Sequence, residues 1–108
     1  MQTLKPSDIA HTGEKLVEEW LSENGFVNVL ISADETGNNA IEANGSIENI
    51  LVNVRTHVQP FKPARISDDD RSKIKIAAEK LGRKAYVAYL VIDGEKNIVG
   101  DIGWERLS

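Results

Sequence analysis

Asn53, Arg55 and His57 stand two apart in the apolar run NILVNVRTHV, so in an extended chain all three project from one side of a strand. An amide, a guanidinium and an imidazole so spaced can grip an anion, with Arg55 offering parallel N–H donors to a phosphate or carboxylate. They can equally line an ordinary solvated strand. They are poorly suited to a hard dication, because an asparagine oxygen brings no net charge and arginine stays protonated near neutral pH. Other chemistries find little support. His11 and His57 are the two histidines and there is no cysteine, which argues against a zinc site. There is no P-loop, no GxGxxG and no nucleophile elbow. Asp68-Asp69-Asp70 has the composition of a metal cluster, but its place at a helix start reads better as capping.

The elements that would position these groups follow from periodicity. Leu16, Val17, Trp20 and Leu21 make one apolar face of a helix over 13–24, with Thr12 as N-cap and Gly25 as the glycine that ends it. Trp20 and Leu21 are expected in the core. Residues 26–32 read as a buried strand, 39–43 as a short strand, and Asn44-Gly45 as a two-residue hairpin turn leading into a strand over 47–58. Pro60 and Pro63 make 59–66 a loop. Ser67 caps a second helix whose stripe is Ile74, Ala77, Ala78 and Leu81 and which ends at Gly82. Residues 85–92 read as a central strand, with Tyr86 and Tyr89 on opposite sides, and 97–102 as a last strand. The order is α-β-β-β-α-β-β, an α/β fold with a mixed sheet. One helix between strands 47–58 and 85–92 predicts that they pair in parallel.

The chain has 108 residues, which suits one domain over 1–108. No apolar run is long enough for a membrane span, and a cytoplasmic location without membrane contact is the expectation. The formal net charge of −4 is unevenly spread. Residues 1–54 carry two lysines against nine acids, and residues 55–84 carry nine lysines and arginines against four acids. A basic middle segment in an acidic chain is either a solvated helix face or a local anion-binding surface.

The ordered set of elements resembles the PD-(D/E)XK, or restriction-endonuclease-like, nuclease superfamily, with Holliday-junction-resolvase-like and Mrr-like domains most similar. Gly13-Glu14 matches the opening of the family's first helix. Val52 to Thr56 matches the frame of its acid-x-Lys strand, and GRKAYVAYLVI matches the strand after the crossover helix. The resemblance spans roughly residues 12–102 and implies a three-layer α/β/α core. It also implies that the family's catalytic Asp, Glu and Lys fall at Asn39, Asn53 and Arg55, with Glu14 as an accessory acid. All three identities are lost.

That pattern implies a catalytically inactive nuclease-like domain without a metal or other cofactor. It would bind nucleic acid through a basic groove formed by Arg55, His57, Lys62, Arg65, Arg71 and Lys73. Two alternatives stand beside it. The domain could serve protein interaction or scaffolding, as a homodimer or with a protein partner through a sheet edge. It could instead retain Mg²⁺-dependent cleavage with Glu14 among a relocated ligand set; Glu42 would join only through a strand bulge, and Glu48 lies too near the hairpin.

Overall fold

A computed structural model describes residues 4–33, 39–61 and 65–107, with the backbone alone described at 32, 33 and 39. The order of elements is α1 (Pro6–Glu23), β1 (Val27–Ala33), β2 (Asn39–Asn44), β3 (Asn49–Val58), α2 (Asp68–Lys80), β4 (Lys84–Ile92) and β5 (Gly103–Arg106). The strands form one mixed sheet in the order β1-β2-β3-β4-β5. β3 and β4 pair in parallel, as the single intervening helix requires, and the other neighbours are antiparallel. Among the described residues no helix is long and apolar enough to cross a membrane.

Alternation along the two central strands separates the core into two layers. Ile50, Val52 and Val54 of β3, with Ala88 and Leu90 of β4, pack under Val17 and Leu21 of α1. Leu51 of β3, with Ala85 and Val87 of β4, packs under Ile74 and Ala78 of α2. The parity of β3 therefore assigns Asn53, Arg55 and His57 to the α2 side, and Thr56 to the α1 side. Tyr86 and Tyr89 divide between the two layers, as their spacing predicts.

α1 begins at Pro6, about two turns before the expected start at 13. Pro6 occupies the first turn, Lys5 is the N-cap, and the Asp8 carboxylate accepts from the Lys5 N–H at 3.3 Å. Thr12 is thus inside the helix rather than its cap, and its hydroxyl donates to the Asp8 carbonyl at 2.8 Å. His11, which precedes the helix expected over 13–24, is an exposed residue inside α1. The C-terminal end is as expected: Gly25 has φ +89°, and the Phe26 N–H returns to the Leu21 carbonyl at 3.0 Å. At Gly13 the helix touches the sheet, and a Cβ there would lie 1.7 Å from Thr56 Oγ1 and 2.8 Å from Thr56 Cβ.

Four local expectations are corrected. β1 is an edge strand rather than a buried one; a register shift between Val27 and Leu30 leaves both 59% exposed, with Asn28 at φ 53°. Asn44 is the last residue of β2, paired with Asn49, so the hairpin loop has residues 45–48. Gly45 serves by close approach, since a Cβ there would sit 2.7 Å from the Glu48 carbonyl and 2.8 Å from the Phe26 ring. The last strand is Gly103–Arg106, while 97–102 holds only a bridge from Ile98 to Ile92. There the Asp93 carboxylate accepts from the Glu95 and Asn97 N–H groups, which shapes a turn instead of a strand and draws the Asp93 pKa down, Asn97 being the main cause. Finally, Leu21 is buried but Trp20 is 37% exposed and lies against Trp104, with ring centroids 4.9 Å apart. α2 runs from its Ser67 cap to Gly82 at φ +68°, as expected.

Candidate functional site

The site is built on the C-terminal half of β3 and the first turn of α2. Asn53 is 0% exposed, held between strands β2 and β4. Arg55, one strand repeat on, lays its guanidinium along the same side. Its Nε–H donates to Asn53 Oδ1 at 2.7 Å, and its terminal NH2 group donates to Asp70 Oδ2 at 3.2 Å. Asp70 is fixed in turn by the helix start, where its backbone N–H donates to the Ser67 hydroxyl at 3.1 Å. An acid in the first turn also meets the positive end of the helix dipole. The guanidinium is thereby tied at both ends and charge-matched inside the fold.

The other basic residues of this side are arranged the same way. Arg65 and Arg71 converge on Glu105 Oε2 at 2.9 and 3.1 Å, although Arg65 is 78% exposed. Tyr89 donates its hydroxyl proton to Glu105 Oε1 at 3.0 Å. These contacts, led by Arg71 and followed by Tyr89 and Arg65, hold the Glu105 carboxyl below its ordinary range. Burial, then the hydrogen bond to Glu105, pushes the Tyr89 phenol up. Lys73 pairs with Asp69 one turn away at 3.0 Å. Lys62 lies outside the described residues. His57 is half-buried, and its Nδ1 is buried without a hydrogen-bond partner among the described residues.

The structure therefore brings Asn53 and Arg55 together and adds Asp70, whose place at a helix start predicts only capping. It places Glu14, which is buried, on α1 and so in the opposite layer from Asp70. In the β2–β3 register Ala40 pairs with Asn53, whereas Asn39 pairs with Ala33 of β1. The remaining nearby acids are engaged as well. Glu42 pairs with Arg83 at 3.1 Å, and Glu48 accepts from the Tyr86 hydroxyl and pairs with Arg106 at 3.3 Å. Among the described residues no three histidine, aspartate or glutamate side chains gather where they could hold a metal ion.

Chemically, the arrangement is a brace. Arg55 and Asp70 tie β3 to α2, and Glu105 ties α2 and the loop before it to β5. The signal for Asp70 was present in the acid-rich helix start beside a strand arginine. Glu105 had no such signal, because it lies in a terminal segment too short to assign. No protein-family model and no curated protein sequence matches this chain.

Proposed function

We propose that this chain is a non-catalytic interaction domain on a restriction-endonuclease-like α/β core. The observation that carries the reading is the Asn53–Arg55–Asp70 chain of hydrogen bonds. At the positions where the family resemblance expects charged metal ligands and a lysine, a neutral amide and a guanidinium are bound to each other and to a helix acid. A dication placed there would meet a permanent cation and one carboxylate already in use. The element order and the parallel β3–β4 pair support the nuclease-like core.

Binding by this surface to nucleic acid is a second reading. It is favoured by Arg65, 78% exposed, and by exposed Lys75, Lys80 and Lys84 on α2 and at the start of β4. Against it stands the pairing of Arg55 with Asp70, Arg71 with Glu105 and Lys73 with Asp69, which offsets much of the positive charge that phosphate contacts need. The test is incubation of the chain with plasmid and branched DNA in Mg²⁺ and in Mn²⁺, with duplex binding read by anisotropy across a salt series. The proposal expects no product and no salt-steep binding. Metal-dependent strand cleavage overturns it, and binding that falls steeply with salt and is lost on changing Arg65 and Lys75 to Glu establishes the second reading instead.

A further inference from the structure

The opposite layer carries an open cleft of about 360 Å³ between the C-terminal half of α1 and residues 98–102. Its apolar surface is Leu16, Trp20, Ile98 and Ile102, and its rim is Glu19, Glu23 and Asp101. Among the described residues no lysine or arginine lines it. Trp20 is open to solvent on the cleft side and backed by Trp104 at a 47° tilt, so the aromatic surface is held in place rather than free to fold away. Glu19, Glu23 and Asp101 make no ion pair with any described residue, although Lys15 stands one helical turn from Glu19.

Resting on the reading of the chain as an interaction domain, we propose that this cleft docks a segment of a partner protein that presents an apolar anchor flanked by lysine or arginine. The apolar floor offers area for the anchor. The rim supplies three carboxylates with no ion-pair partner among the described residues, and the indole of Trp20 adds an attractive face for a cation. The same charges select against other occupants. A second copy docking through this face by two-fold symmetry would bring two acidic rims together, and a nucleic acid would bring phosphates to carboxylates.

Trp20 and Trp104 are the two tryptophans of the chain, so emission reports directly on the cleft. The full chain is titrated with a short amidated peptide of alternating Arg and Leu, and separately with the same peptide carrying Glu for Arg. The proposal expects a saturable emission change with the basic peptide only. Glu19→Lys with Asp101→Lys should weaken it about tenfold, while the matched surface reversal Glu79→Lys with Glu95→Lys should leave it nearly unchanged. All four positions are exposed, and circular dichroism confirms that the variants fold. No saturable change, an equal response to the acidic peptide, or equal weakening by both variant pairs overturns the proposal. So does sedimentation showing self-association that Trp20→Ala abolishes. Any of these results with uncut DNA sinks the cleft alone, whereas metal-dependent cleavage sinks the interaction-domain reading.

Discussion

The two sides of the sheet manage charge in opposite ways. Under α2, four guanidinium groups meet three carboxylates within the fold: Arg55 pairs with Asp70, Arg83 with Glu42, and Arg65 and Arg71 share Glu105. Over α1, five carboxylates share one helix with a single lysine, and the three acids that rim an apolar cleft make no ion pair with a described residue. The basic segment has most of its arginines paired, whereas the acids at the rim of the cleft make no ion pair with a described residue. A segment's net charge therefore says little about its binding surface until the partners of each charge are known. The arginines of the basic middle largely form an internal brace, whereas Glu19 and Glu23 of the first helix make no ion pair with a described residue.

The contrast can be broken or sharpened by substitution. The largest effect is expected at Gly13, where α1 rests on Thr56. Gly13→Val should lower stability by about 3 kcal/mol, the upper end for overpacking, seen as a lower urea midpoint with an unchanged slope. Adding Thr56→Gly should recover part of that loss, since the side chain that the new Cβ strikes is gone. Next comes a direct comparison of a matched acid with an unmatched one. Asp70→Asn leaves the half-buried Arg55 without its counter-charge and should cost roughly 1–2 kcal/mol, discounted for partial solvent access. Glu19→Gln should stay within about 0.5 kcal/mol. Equal costs would erase the distinction between the two sides.

Acid titration should show a smaller effect. Glu105 has its folded pKa below the ordinary 4.5, so its stabilisation is fully present above 4.5 and is lost as pH falls through the lower folded value. Glu105→Gln should flatten that part of the acid-unfolding curve. The smallest effect lies at the alkaline end. The Tyr86 phenol is raised chiefly by its hydrogen bond to Glu48, and that of Tyr89 chiefly by burial. Their contribution is present below pH 10 and lost as pH rises through the higher folded values, so ultraviolet titration should find both tyrosines ionising above 10.

Much of the architecture was legible in the residues. The α2 cap at Ser67, the glycines that end both helices, the parallel β3–β4 pair and the shared side of Asn53 and Arg55 all follow from local chemistry and period. What was not legible depended on distant partners. β1 is apolar enough to read as buried, yet its place at the sheet edge leaves Val27 and Leu30 in solvent. Trp20 fits the core stripe of α1, yet Trp104, far along the chain, draws it to a surface cleft. Arg55 reads as an anion grip until Asp70, fifteen residues on, takes its free end. The start of α1 was missed because Pro6 and Asp8 signal a helix without supplying an apolar stripe.

Arg55 is held inside the fold at both ends of its guanidinium. Nitrogen-15 NMR of the Arg55 Nε–H, followed while Mn²⁺ and then a DNA duplex are added, reads this state. The resonance should be sharp, slow to exchange with solvent and unmoved by either addition, because Asn53 and Asp70 hold both ends of the group. Paramagnetic broadening at Arg55 and Asn53 on adding Mn²⁺, or a shift of the resonance on adding the duplex, would contradict it.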